Sequence, residues 1–303
     1  MKLLVLGAGG QVGRELLRAA WPAGWQVEGR TRAEVDLGDA VALRQAIVDL
    51  RPDLVINAGA YTAVDRAEGD RDAAFAVNGV APGVIGRAAT AIGAAVIHFS
   101  TDYVFDGAGG GGRVEDDPVA PLGVYGASKE AGERALREAT ARHVILRTSW
   151  VFAAHGTNFV RTMWRLGSER PDLRVVGDQR GCPTAAAAIA AATVRIARRI
   201  AQGDAAWGTF HFAGAPATSW AGLAEAVFVE MERRTGRRPQ LAAITTAEYP
   251  TPARRPANSV LDCGRIFRTY GIEAPDWRAD LSVVLDEATA GAATAAAGGE
   301  RRA

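Results

Sequence analysis

The chain has 303 residues, 48% of them apolar, and its 35 Lys plus Arg nearly balance 34 Asp plus Glu for a formal charge of +1. That size suits one large core or two domains, and the charge balance excludes the broad basic field of a general nucleic-acid binder. Two distant cysteines, Cys182 and Cys263, exclude a CxxC zinc knuckle and argue against a disulfide framework, and no run approaches the roughly 20 apolar residues of a membrane span.

In chain order, KLLVLGA predicts a strand, QVGRELLRAAW a helix, WQVEGR a strand, AVALRQAIVDL a helix and DLVINAGA a strand. A long helical stretch around AAFAVNGVAPGVIGRAATAIG follows, then a strand at AAVIHFS, a helix over about residues 127–140 and a strand at HVILRTSW. Strands apolar on both faces, spaced by amphipathic helices, mean a parallel sheet covered on both sides. The fold class is therefore α/β, a doubly wound parallel sheet of the Rossmann kind, with a smaller α-rich C-terminal substrate domain. Past Trp150 the rhythm loosens: FVRTMWRLGSE is a helix, LRVVGD a short strand, AAAAIAAATVRIARRIA a helix, GTFHFAG a strand and WAGLAEAVFVEMERRTG a helix. Residues 1–150 are expected to form the dinucleotide-binding domain, rejoined by segments from about 175–213, with 151–174 and 214–288 as the substrate domain. GAGGGG, residues 107–112, is expected to be a flexible loop, and residues 289–303 a frayed low-complexity tail. The apolar run in MKLLVLGAGG is too short for a signal peptide, so a reducing cytoplasm is expected.

VLGAGGQVGRELL sets Gly7, Gly9, Gly10 and Gly13 between the first strand and first helix, with Gln11 and Val12 opening that helix. One glycine permits the tight turn, one lets backbone approach a pyrophosphate, and one allows close helix–strand packing; the phosphates then rest on the helix N-terminus. A glycine-rich turn that binds nothing has the same composition, but the position after an N-terminal strand favours a dinucleotide. At the end of the second strand an acid would hold the ribose of NAD, whereas this chain has Arg30, which suits the 2′-phosphate of NADP. NADPH is thus the preferred cofactor, with NADH admitted. Asp36 and Leu37 follow, placed to bond and flank the adenine edge.

Only two of the basic residues are lysines, Lys2 and Lys129, and Lys129 comes four residues after Tyr125. One helical turn puts both on the same face. A free phenol has a pKa near 10, and an ammonium about 4 Å away contributes on the order of 4 kcal/mol, so Lys129 is expected to make Tyr125 an effective general acid. An exposed Tyr/Lys pair is the bland alternative, but a guanidinium would not replace a compact ammonium in this role. Upstream, VIHFSTDYVFDG ends the fourth parallel strand at Ser100–Thr101, where a hydroxyl can bond a carbonyl oxygen gaining charge. The four histidines, His98, His143, His155 and His211, lack metal-ligand spacing.

With INAGAYTAVDRAE, STDYVFDG, YGASKEAGE, LRTSWVF, GDQRGCPT and YPTPARRPANSVLD, the chain resembles the extended short-chain dehydrogenase/reductase family up to about Asp262. Within it the likeness is to the reductases of dTDP-linked 4-dehydro sugars. The resemblance implies Thr101, Tyr125 and Lys129 as catalytic residues. It implies Gly7, Gly10, Gly13, Asn57, Ala58, Gly59, Ala60, Thr62 and Asn78 as cofactor contacts, and Val64, Thr101, Asp102, Tyr103 and Trp150 as contacts of a dTDP-sugar substrate. Arg254 and Arg255 suit its diphosphate. Some relatives hold magnesium at a dimer interface, but here Glu15 alone survives of the acids that would bind it, so no metal is expected, and the chain is expected to be a monomer or homodimer. No nucleic-acid or membrane partner is expected. A reductase of another nucleotide-linked 4-keto-6-deoxyhexose, and a non-catalytic regulatory subunit on this fold, are the competing readings.

Overall fold

The first strand, β1 (Lys2–Leu6), has Leu3, Leu4, Val5 and Leu6 fully buried in the computed structural model, which describes residues 1–299. A strand without a solvent face must be covered on both sides. The chain achieves this through α1 (Gln11–Arg18), β2 (Gln26–Arg30), α2 (Ala40–Leu50), β3 (Leu54–Asn57), the short helices α3 (Val64–Ala67) and α4 (Arg71–Phe75), a π-helical turn at Ala76–Val80, and α5 (Ala81–Ile92). Then come β4 (Ala95–Thr101), a 3-10 turn at Asp102–Val104, α6 (Val124–Ala139) and β5 (His143–Thr148). The remainder is β6 (Val151–Phe152), α7 (Phe159–Glu169), β7 (Asp172–Val176), β8 (Arg180–Gly181), β9 (Thr184–Ala185), α8 (Ala186–Ala201) and β10 (Gly208–His211). It ends with β11 (Thr218–Ser219), α9 (Trp220–Thr235), β12 (Gln240–Ile244), α10 (Gly264–Tyr270) and α11 (Trp277–Gly299).

Six strands make one sheet in the order β10-β5-β4-β3-β1-β2, every pair parallel. The period of two divides their side chains between two cores. Leu3, Val5, Ile56, Ile97 and Leu146 pack beneath α8, whereas Leu4, Leu6, Val55, Val96 and Ile145 pack beneath α2 and α5. A third core, including Phe152, Val160, Val227, Phe228 and Trp277, belongs to a smaller lobe with its own short parallel pair, β7 and β12. The LRVVGD strand thus pairs in this lobe, while β10 alone of the later strands joins the main sheet on β5.

Four expectations need correction. The helix carrying Tyr125 starts at Val124, several residues earlier than read, because the Glu68 carboxylate accepts the Val124 N–H at 2.8 Å and supplies the cap the local sequence lacks. Residues 289–299 continue α11 rather than fraying, as their alanine content favours, and residues 300–303 lie outside the described residues. Helical residues Arg71–Ile92 are, by length and composition alone, sufficient to cross a membrane, yet 56% of that apolar window is packed inside the protein. The Gly107–Gly112 loop is tied down by Asn258, whose Nδ2 donates to the Gly109 and Gly111 carbonyls at 3.0 and 2.8 Å.

Candidate active site

The reversal of strand order between β1 and β3 opens a crevice at their carboxyl ends. Gly7 turns there at φ +76°, and a Cβ on it would lie 2.4 Å from the Gly59 nitrogen; one on Gly13 would lie 2.2 Å from the Gly7 carbonyl. No other residue lets these backbones touch. The first helical bond runs from Arg14 N–H to Gly10 O at 3.0 Å, so the amides of Gln11, Val12 and Gly13 precede any helical acceptor and suit phosphate oxygens beside the exposed Gly9 and Gly10. Gln11 is also tied to the segment before α7, its Oε1 accepting Asn158 Nδ2 at 2.9 Å and its carbonyl facing His155 Nε2 at 3.2 Å. Val12 is half-buried against the core.

At the end of β2, Arg30 is paired with Glu28 and donates to the Gly29 carbonyl at 3.1 Å. Glu28, read as lying too early in the strand, shares its face with Arg30 two residues on and holds the guanidinium. Asp36 accepts the Gly38 N–H at 2.9 Å, and Leu37 is buried against Gly59. Ala58, Gly59 and Ala60 are half-buried, Thr62 is exposed, and Asn57 is buried with Oδ1 accepting the Gly59 N–H at 3.2 Å. Asn78 is fully engaged within the protein, bonding both backbone groups of Tyr61 and the Ser128 hydroxyl at 2.8 to 3.1 Å. It ties the loop after β3 to α6.

On α6, Tyr125 lies in the first turn and lines a narrow cleft with Val64, Tyr103, Leu122, Ala253 and Arg254. Gly126 permits this closeness: a Cβ there would sit 2.1 Å from the Tyr103 carbonyl. The Tyr125 and Tyr103 rings meet edge to face at 5.9 Å. Thr101, at the end of β4, donates its hydroxyl to Asp102 Oδ1 at 2.9 Å and accepts the Tyr103 N–H at 3.2 Å.

The electrostatics differ from the sequence expectation. Burial pushes the Tyr125 phenol up to about 12, opposed by the influence of the Thr101 hydroxyl and reinforced by the Asp102 charge. Lys129 does not act on it as expected, because its buried Nζ turns toward the sheet, donating to the Phe99 carbonyl at 2.6 Å and lying 3.4 Å from His98 Nε2. Burial brings the lysine down to about 8, against the pull of Glu133. Glu133, one turn further along α6, is completely buried and gripped by Arg147 through two bonds of 2.9 and 2.7 Å. Burial alone would raise its pKa, but Arg147 holds it below the usual carboxylate range.

Asp102 is buried, with Oδ2 lacking a hydrogen-bond partner, and burial raises its pKa to about 6 despite the Ser259, Thr101 and Ser149 hydroxyls. Trp150 has φ +47° and stacks on Trp220 with centroids 3.5 Å apart, and a Cβ on Gly181 would lie 2.3 Å from its Cε2. One face of the indole is therefore spent on the smaller lobe. The two arginines also part company. Arg254 is exposed at the cleft, whereas Arg255 pairs with Asp65 at 2.7 Å. Sequence reasoning missed Glu68, His98, Glu133, Arg147 and Asp65; the visible signal was polar residues inside otherwise apolar β3, β4 and β5 and the continuation of the Tyr125, Lys129, Glu133 spacing. Among the described residues, no cluster of three or more His, Cys, Asp or Glu is placed to hold a metal.

The RmlD substrate binding domain family model matches residues 1–290. The dTDP-4-dehydrorhamnose reductase of Burkholderia thailandensis is 46% identical over 286 residues, covering 92% of this chain and 96% of that protein. Two solved structures are also similar. The dTDP-4-dehydrorhamnose reductase of Clostridium acetobutylicum has a TM-score of 0.87 at 34% identity, and that of Bacillus anthracis, in complex with NADP, 0.86 at 31%. Each alignment covers 94% of this chain and 99% of the other.

Proposed function

The chain belongs to the RmlD substrate binding domain family, and from that membership we propose that it reduces the C4 ketone of dTDP-4-dehydro-L-rhamnose to give dTDP-L-rhamnose. NADPH, with NADH as the weaker alternative, supplies the hydride when bound. The amides and glycines of Gly7–Gly13 hold its pyrophosphate, Arg30, Asp36 and Leu37 face its adenosine, and Asn57–Thr62 flank the rest. Lys129 spends one donor on the Phe99 carbonyl and lies beside His98 Nε2, which leaves an N–H of its ammonium for a ribose hydroxyl.

The Thr101 hydroxyl holds the sugar's O4, and Tyr125 gives it a proton as C4 is reduced. A phenol at about 12 keeps that proton throughout the neutral range. An alkoxide forming at O4 is a stronger base than the phenolate, so the transfer remains downhill. Val64, Asp102, Tyr103 and the free part of Trp150 line the pyranose, and Arg254 takes the diphosphate. The smaller lobe is the substrate domain. The free thiols Cys182 and Cys263 suit a reducing cytoplasm, where the protein acts as a monomer or homodimer without nucleic-acid or membrane partners.

The observation that carries this reading is the position of Tyr125 in the first turn of α6, lining the cleft with Val64, Tyr103 and Arg254, with the Thr101 hydroxyl at the carboxyl end of β4. Purified protein is to be mixed with dTDP-4-dehydrorhamnose or another nucleotide-linked 4-keto-6-deoxyhexose, each with NADPH and NADH in parallel. Cofactor oxidation with formation of dTDP-L-rhamnose is expected. Preference for another sugar would reassign the substrate, and absence of oxidation with all of them would refute the reductase reading.

A further inference from the structure

His98 presents two buried ring nitrogens to two groups that both carry hydrogens. It lies opposite Asn57 in the β3–β4 register, with Nδ1 3.0 Å from Asn57 Nδ2 and Nε2 3.4 Å from Lys129 Nζ. The Asn57 amide is oriented by its Oδ1, which accepts the Gly59 N–H, so its NH2 faces the imidazole. Nδ1 must then be the acceptor. Burial first, and the Lys129 charge second, hold the His98 pKa well below its ordinary value, so the ring is neutral and its single hydrogen sits on Nε2.

That hydrogen points at Lys129. An amine at Nζ offers it a lone pair while still donating to Phe99, whereas an ammonium sets N–H against N–H. To accept the ammonium, the imidazole must move its hydrogen to Nδ1. The Asn57 amide must then turn over and release the Gly59 N–H, since otherwise two donors face each other there instead.

We propose that His98 is a positioning residue that couples the proton on Lys129 to the orientation of the Asn57 amide and, through it, to Gly59. Gly59 abuts Gly7 in the glycine turn, so resting on the proposed reductase function, the device links the charge that anchors the cofactor ribose to the floor of the cofactor site. The other ionisable groups around this pair are accounted for. From α6, Tyr125 remains a neutral phenol, and Glu133 is tied to Arg147 of β5 and to Arg137. Asp102 follows β4, and its charge bears on Tyr125 and Tyr103.

The test is nitrogen-15 NMR of histidine-labelled full-length protein without nucleotide, between about pH 6.5 and 9.5, with His98 assigned through its contacts to Lys129 and Phe99. The Nε2–H tautomer is expected at the alkaline end, giving way to Nδ1–H with the same midpoint as the Lys129 side chain, near pH 8. In Lys129→Met, His98 should remain Nε2–H throughout. In His98→Gln, whose carbonyl accepts from an ammonium, the Lys129 midpoint should rise by at least about one unit. A wild-type His98 that keeps one tautomer while Lys129 titrates would overturn the coupling, and this readout requires neither variant to fold. It also requires no turnover, so a failed reductase assay and a failed coupling are distinguishable.

Discussion

Glu68 caps the helix that carries the Tyr125 phenol: its Oε1 accepts the Val124 N–H at 2.8 Å, although the two residues belong to different elements. Glu68→Ala should cost about 1 kcal/mol, as loss of an N-cap does, measured as a lower urea midpoint. Because the first turn of α6 holds Tyr125, kcat should also fall several-fold under conditions where the variant is fully folded. Glu68→Gln keeps an acceptor oxygen and should recover most of both losses.

Two substitutions separate the proton donor from the ribose anchor. Tyr125→Phe should lower kcat by at least about a hundredfold while leaving cofactor affinity within about twofold, measured by stopped-flow and fluorescence titration. In the wild type, kcat/KM for NADPH should decline above about pH 8, where Lys129 loses its charge in the free enzyme. Lys129→Arg should be slower at every pH and lack that alkaline limb, because a guanidinium does not deprotonate there.

The Asp102 carboxyl predicts a stability change whose sign depends on pH. Its pKa rises from 3.8 to about 6 on folding, so between those values the native state binds more protons than the unfolded chain. Stability from this group is full below 3.8 and lost as pH rises through about 6, up to about 3 kcal/mol in all. Asp102→Asn imitates the protonated form and should raise the midpoint of thermal unfolding at pH 7.5, with the gain vanishing near pH 4. A variant less stable than wild type at pH 7.5 would mean that the carboxylate is better satisfied than its unpartnered Oδ2 suggests.

The adjacent arginines should separate in the same pair of assays. Arg254→Ala should raise KM for the dTDP-sugar about tenfold, the scale of one charge-assisted bond to phosphate, with little effect on unfolding. Arg255→Ala breaks the partly exposed pair with Asp65 and should cost no more than about 1 kcal/mol of stability. Equal effects of both on KM would place Arg255 on the diphosphate as well.

The sequence by itself determined the features that depend on local spacing. Alternation of apolar strands with helical periods specifies the covered parallel sheet, the glycine spacing specifies a turn that no Cβ can enter, and a four-residue interval sets Tyr125 and Lys129 on one helix face. The tertiary structure alone decided how the charged and polar groups are spent. Lys129 turns to the Phe99 carbonyl rather than to the phenol one turn away, Arg255 finds Asp65 from the far end of the chain, and the β3–β4 register brings Asn57 against His98. The physical reason is that hydrogen bonds and desolvation act over a few ångströms. Which partner wins is therefore set by distances between segments that are remote in sequence, and no local pattern encodes them.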